Sequence, residues 1–336
     1  MTLALLATSH SPLLEHAELA AEVSAELESA FAEARRFVRE FDPDVIVNFA
    51  PDHYNGFFYQ LMPPFCIGYA AESIGDYGSQ AGRLDVPEDL ARALAEAVLG
   101  AGIDLAVSLD MRVDHGAVQP MEIIYGDITA RPFVPIFINC MAPPFTPMRR
   151  VRLLGEAVGR HLGTLDKKVL LISSGGLSHD PPVPQLATAT PEQRRMLMGE
   201  AGPLSPEARD ARQQRVITAA REFAAGTATI QDLAPEWDRK LLQTLASGDL
   251  TPLDAWTPQE MARIAGNSAH EVRTWIAGYA ALGTAGFYTV GVQLLPGNPR
   301  TDSRLRTHHR HPPMTGAIGP VSGPRLCPRA GSSARP

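Results

Sequence analysis

The stretch Val45-Ile46-Val47-Asn48-Phe49-Ala50-Pro51-Asp52-His53-Tyr54-Asn55-Gly56 decides how this chain is read. Six mostly apolar residues run straight into a turn of Pro, Asp, Asn and Gly that carries a histidine. A short apolar run bounded by turn residues has the character of a fully buried strand. A histidine placed just past it sits where an open α/β sheet holds its functional groups, at the C-terminal edge of the strands. The same arrangement recurs three times. His10 follows the apolar run Leu3–Ala7, His115 follows Leu105–Leu109 and Val113-Asp114, and His179 follows Val169–Ser173 and Gly175-Gly176-Leu177-Ser178.

Between these strands the spacing of apolar residues becomes helical. Leu19, Val23, Leu27 and Phe31 recur every four residues in a helix expected over 18–40, which Asp42-Pro43 ends. Helices are also expected over 87–99 and 148–162, and strands over 104–109, 133–138 and 169–173. Alternating strands and helices predict an α/β fold with a mainly parallel sheet sandwiched by helices. After Pro184 only helical spacing is found, over 207–223, 235–245, 258–264 and 268–282, which predicts a helical C-terminal layer on the same domain. The catalytic unit is expected to span residues 1–290. Residues 291–336 form an Arg- and Pro-rich tail without apolar periodicity, expected to be disordered.

The 336 residues are 45% hydrophobic and 20% charged, an ordinary globular composition. A net charge of −7 and a pI near 5.8 give no indication of nucleic-acid binding. No apolar run reaches the about 20 residues of a membrane span. Three widely spaced cysteines suit a reducing compartment, so a cytoplasmic location is expected.

In a parallel sheet the four histidine loops share one edge, so topology alone would bring four imidazoles into one cleft. Two histidines and one carboxylate are a ligand set for non-haem Fe(II), and two further histidines suit proton transfer near neutral pH. There is no G-x-S-x-G, Walker or H-E-x-x-H motif. Three other readings stay open: a hydrolase with Ser178 as nucleophile, a zinc-dependent hydrolase on the same loops, and a non-catalytic relative that binds a partner. His16, His161 and the tail histidines are expected to be plain solvated or satisfied side chains. Asp114 beside His115 and Asp180 beside His179 are candidates to orient those two rings. Tyr54, Phe57, Phe58 and Phe65 are candidates to wall a ring pocket.

Ser9-His10-Ser11-Pro12, Pro51-Asp52-His53-Tyr54-Asn55-Gly56-Phe57-Phe58, Val113-Asp114-His115-Gly116 and Gly175-Gly176-Leu177-Ser178-His179 together resemble the class III extradiol ring-cleavage dioxygenases. This is the superfamily of the protocatechuate 4,5-dioxygenase β-subunit. The resemblance runs to about Tyr288. It implies an Fe(2+) centre held by His10, His53 and Glu271, the last in Gly266-Asn267-Ser268-Ala269-His270-Glu271, where His270 competes for the role. It implies His179 as proton acceptor from the substrate diol and His115 as proton donor during O–O cleavage. The implied partners are a catechol with a propionate side chain and O2, in a homo-oligomer. Arg273, Arg239 and Lys240 are the cations that the side-chain carboxylate would choose among. Relatives keep an aromatic segment after the position of Tyr288. Here the Arg- and Pro-rich tail follows, as an out-of-frame reading of GC-rich coding sequence would give.

Overall fold

The computed structural model describes residues 2–15, 21–200, 202, 204–295 and 314–320. Strands and helices alternate through the first half: β1 (Thr2–Thr8), α1 (Ala21–Phe41), β2 (Val45–Ala50), β3 (Phe65–Gly68), β4 (Ala71–Ile74), β5 (Ala81–Arg83) and α2 (Glu88–Gly100). Next come β6 (Ala106–Ser108), β7 (Met111–Val113), α3 (His115–Tyr125), β8 (Phe133–Ile138), α4 (Met148–Leu162) and β9 (Lys168–Ser174). The helices α5 (Pro191–Leu197), α6 (Pro206–Ala224), α7 (Pro235–Ser247), α8 (Pro258–Ala265) and α9 (Val272–Gly283) follow. Two more strands are β10 (Val292–Leu295) and β11 (Met314–Pro320).

The large sheet has the order β10-β11-β1-β9-β2-β8-β3-β6. Its centre, β1-β9-β2-β8, is parallel throughout, so four strands end at one edge. Side chains alternate between its faces, as the two-residue period of a strand dictates. Leu3, Leu5, Val45, Val47 and Phe49 share one core with residues of α2, α4, α7 and α9. Ala4, Leu6, Ile46 and Ala50 share the other with α1 and α3. Both faces are covered, which is why β2 reads as an unbroken apolar run and not as an alternating one. The chain is therefore an α/β protein with a mainly parallel sheet between helical layers.

Two details differ from the sequence reading. The run 104–109 is not one strand leading to His115. Ala106–Ser108 ends the large sheet beside β3, and the chain then turns at Leu109-Asp110 into β7, which belongs to a separate three-stranded sheet of order β5-β4-β7. His115 therefore reaches the site from that small sheet. The tail expected to lack structure contains β10 and β11, which pair with each other and continue the sheet beyond β1. An outer strand leaves a row of N–H and C=O groups that another segment can satisfy, which periodicity in that segment does not reveal. Residues 296–313 and 321–336, with His308, His309, His311 and Cys327, lie outside the described residues, as does His16.

Candidate metal centre and proton-transfer site

The turn after β2 is built by a buried carboxylate. Asp52 accepts hydrogen bonds from the backbone N–H groups of Asn55 (3.0 Å), Gly56 (2.9 Å) and Phe57 (3.1 Å). The turn places Tyr54 at a φ of 57° and packs Gly56 so closely that a Cβ there would lie 2.3 Å from the Arg112 carbonyl oxygen. Burial and the neighbouring Asp114 push the Asp52 carboxyl up to about 7. The result is a rigid platform for His53.

His53 is tied at one ring nitrogen and open at the other. Its Nδ1 lies 3.1 Å from Asp114 Oδ2, which also accepts from the His53 backbone N–H (2.8 Å) and from Asn55 Nδ2 (2.9 Å). Its Nε2 lies 3.4 Å from Glu271 Oε1. His10, after β1, repeats the pattern: Nδ1 is 3.0 Å from Ser174 Oγ and Nε2 is 3.4 Å from Glu271 Oε2. Fixing Nδ1 through a partner is how a protein orients an imidazole and leaves Nε2 as the reactive atom. Glu271 is brought between the two rings by a short 3-10 segment, Asn267–Glu271, that leads into α9. The Gly176 backbone N–H donates to its Oε2 at 2.5 Å.

The other two histidines border this trio. The His179 Nδ1–H donates to the Leu177 carbonyl (2.8 Å), and its Nε2 is 3.5 Å from Glu271 Oε1. With 31% of its side chain exposed, against 13% or less for the other three, His179 lies at the rim. His115 stacks on His53 with ring centroids 4.6 Å apart. His10, His53 and His115 offer ring nitrogens within 4.8 Å of one another, a cluster that can hold a metal ion.

The electrostatics of the cluster differ from ring to ring. Burial pushes His10 down to about 3, so it stands neutral near pH 7, the form that binds a metal. Burial alone would lower His53, but Asp114 and Glu271 outweigh it and hold the ring well above its ordinary value. Burial alone would raise Glu271, but His10, His179 and His53 hold it well below the usual carboxylate range. His179 is also raised, because Glu271 and the Leu177 carbonyl outweigh its burial.

Several expected partners are exchanged. Asp114 does not orient His115. It caps α3 by accepting from the Gly116 N–H (2.9 Å) and holds His53 instead. His115 is oriented by Asp76, whose Oδ2 is 2.7 Å from Nδ1 and whose Oδ1 accepts from the His115 backbone N–H at 2.7 Å. Asp76 lies in a glycine-rich stretch 39 residues earlier, and no local pattern marks it. Asp180 does not touch His179 and instead accepts from the backbone and side chain of Asn267. Adjacent residues point apart here, so sequence neighbours of a histidine are poor guides to its partner.

The remaining candidates sort clearly. His270 faces away from the cluster: it is buried, lies against the Phe145 ring and accepts from Arg273 Nη1 at 2.8 Å, which leaves Glu271 as the carboxylate at the site. Burial, then Arg273, pushes His270 down to about 3. The Ser178 hydroxyl donates to Asp238 (2.7 Å), a buried carboxylate that also accepts from the Ser178 backbone N–H. A hydroxyl held by a carboxylate in the core supports the loop and is not presented as a nucleophile. Phe65 is core, Phe57 stacks on Phe137, and Tyr54 donates to the Met141 carbonyl (3.2 Å). Among the described residues, no helix is long and apolar enough to cross a membrane.

A family model described as the catalytic LigB subunit of aromatic ring-opening dioxygenase matches residues 4–296. A Rhodococcus globerulus protein named 2,3-dihydroxyphenylpropionate/2,3-dihydroxicinnamic acid 1,2-dioxygenase is 57% identical over 293 residues, 87% of this chain and 93% of that one. Proteins of the same name from Rhodococcus sp. and Rhodococcus rhodochrous are 60% and 59% identical, each over 86% of this chain and 92% of its own. With its histidine cluster at the edge of a parallel sheet, the chain belongs to the family of catalytic LigB subunits of aromatic ring-opening dioxygenases.

Proposed function

We propose that this chain is a non-haem Fe(II) extradiol dioxygenase. It opens the ring of 3-(2,3-dihydroxyphenyl)propionate, and of the cinnamate analogue, with both atoms of O2 entering a 2-hydroxy-6-oxononadienedioate-type product. Residues 1–290 form the single catalytic unit, working in the cytoplasm as a homo-oligomer. The observation that carries this reading is the convergence of His10 Nε2, His53 Nε2 and the Glu271 carboxylate, with every second ring nitrogen already engaged. Two imidazoles and one carboxylate on one side of an ion are the donor set of iron oxygenases. When bound, Fe(II) there supplies a redox-active Lewis acid with open positions for the diol and dioxygen.

The rest is positioning and proton traffic by the chain itself. His179, at the rim with Nδ1–H spent on the Leu177 carbonyl, keeps Nε2 as the acceptor for a proton from the entering diol. His115, held at Nδ1 by Asp76 and with its ring beside those of His10 and His53, would use Nε2 to donate a proton to a reacting oxygen. The second relay is deep, since Asp76 and His115 are both buried. Anaerobic purification, metal analysis and a catechol assay test the proposal. Bound iron with oxygen uptake matched to a yellow ring-cleavage product is expected; zinc with no oxygen uptake refutes it.

A further inference from the structure

The turn that carries Asp76 gives a left-handed position to a tyrosine. Gly75, Tyr77 and Gly78 have φ of 67°, 50° and 82°. Glycine takes such a backbone without steric penalty, whereas a Cβ makes it unfavourable. Two of these positions are glycine, as that rule dictates, and the remaining one is a bulky aromatic residue. The turn is held in this shape from outside. Gln213 Oε1 of α6 accepts from the Tyr77 N–H (3.2 Å), and Arg209 of the same helix donates to the Ile74 carbonyl (3.0 Å). A strained residue that its surroundings hold in place points to a use for its side chain.

That side chain meets His115. The two rings are edge to face, with centroids 4.8 Å apart and planes at 65°. Asp76 fixes Nδ1 of His115, but a bond at one ring nitrogen leaves the imidazole free to tilt. Rings on its sides limit that tilt: His53, stacked at 4.6 Å, His10, edge-on at 5.5 Å, and Tyr77. Of these, His10 and His53 belong to the proposed ligand set and Tyr77 does not. Tyr77 is half-buried, whereas Asp76 and His115 are buried, so it forms part of the cover over that pair.

We propose that Tyr77 is a positioning residue, its ring holding the His115 imidazole at the angle from which Nε2 gives up its proton. This rests on the dioxygenase reading above and adds to it a residue that acts through the proton donor. Iron-loaded enzymes are assayed for oxygen uptake on 3-(2,3-dihydroxyphenyl)propionate. Tyr77→Gly suits the left-handed backbone, so the turn survives and only the ring is lost. Its kcat falls roughly 10–100-fold at unchanged KM and iron content, since displacing a reacting group by about 1 Å costs about 100-fold. Tyr77→Phe keeps the ring and stays within about 3-fold of the wild type. In a His115→Ala background, Tyr77→Gly costs less than about 3-fold, because the group that it positions is gone. A ring that only supported the fold would cost as much in both backgrounds.

The contrary results separate the two claims. A wild type without oxygen uptake sinks the dioxygenase reading and this role with it. With an active wild type the reading stands, and the role of Tyr77 is then overturned by an unchanged kcat in Tyr77→Gly. An equal loss with and without His115, or a loss in Tyr77→Phe as large as in Tyr77→Gly, overturns it as well. Tyr77→Leu, which keeps bulk but no flat ring, decides the same comparisons where the glycine variant does not fold.

Discussion

All four histidines are anchored at Nδ1, and what separates them is burial and the placing of Nε2. His10 and His53 aim Nε2 at Glu271 from within the site, and His179 approaches the same carboxylate from the rim at 3.5 Å. His115 pairs with Asp76 and makes no contact with Glu271 among the hydrogen bonds and ion pairs of the described residues; the proposed roles follow this division. If the division holds, His115→Ala and His179→Ala retain iron and lose about 10²–10⁴-fold in turnover, the contribution of a positioned acid or base. Loss of metal in either variant would move that residue into the ligand set. Asp76 acts through His115. Asp76→Asn keeps the side chain's shape but cannot hold Nδ1–H with a charge, so kcat falls on the order of 10–100-fold at unchanged iron content. The loss falls on kcat with KM and the urea midpoint unchanged, which a purely structural residue would not produce.

At the scale of elements, Glu271 is positioned by α9, and α9 is clamped by glycines. A Cβ on Gly155 of α4 would lie 2.1 Å from the Ala277 carbonyl oxygen, and one on Gly159 would lie 2.3 Å from that of Ala281. On the sheet side, a Cβ on Gly278 would lie 1.9 Å from Ser173 Oγ. The helix therefore sits nearer to its neighbours than any side chain allows. Gly155→Val is expected to cost about 1–3 kcal/mol, read as a lowered urea midpoint, and to weaken iron retention on dialysis because α9 shifts with its glutamate. Gly100→Ala, where a Cβ meets nothing within 4 Å, is the matched control and should change neither. Helix α6 fastens the other side, with Arg209 donating to the Ile74 carbonyl and Gln213 accepting from the Tyr77 N–H (3.2 Å) beside Asp76.

Across the whole molecule, so many titratable groups in one buried place make stability depend on pH. His270 is held at about 3 when folded against about 6.5 when unfolded. It must be neutral to accept from Arg273, so its contribution is present above pH 6.5 and is lost as pH falls towards 3. His10, also near 3, acts in the same direction. Asp114 and Glu271, with folded values depressed, contribute above the usual carboxylate range and lose that contribution as acid is added. His53 and His179 are raised, so theirs is lost as pH rises instead. The metal-free protein should therefore be least stable on the acid side. His270→Gln should remove about 2 kcal/mol of the loss between pH 7.5 and pH 5 in urea titrations.

By itself, the sequence determined the strand–helix alternation, the parallel core and the arrival of His10, His53 and His179 at one edge. Those follow from apolar periodicity and turn residues, which are local, and from the rule that parallel strands end together. The helix Met148–Leu162 was legible to the residue for the same reason. Tertiary structure alone decided which residue anchors which ring. Asp76 reaches His115 across 39 positions and Glu271 reaches His53 across 218, and a hydrogen bond between distant residues leaves no periodicity to read. It also decided that Glu271, and not His270, faces the cluster. The two are neighbours in the chain, and only the packing of α9 against α4 and the sheet turns one inward and gives the other to Arg273.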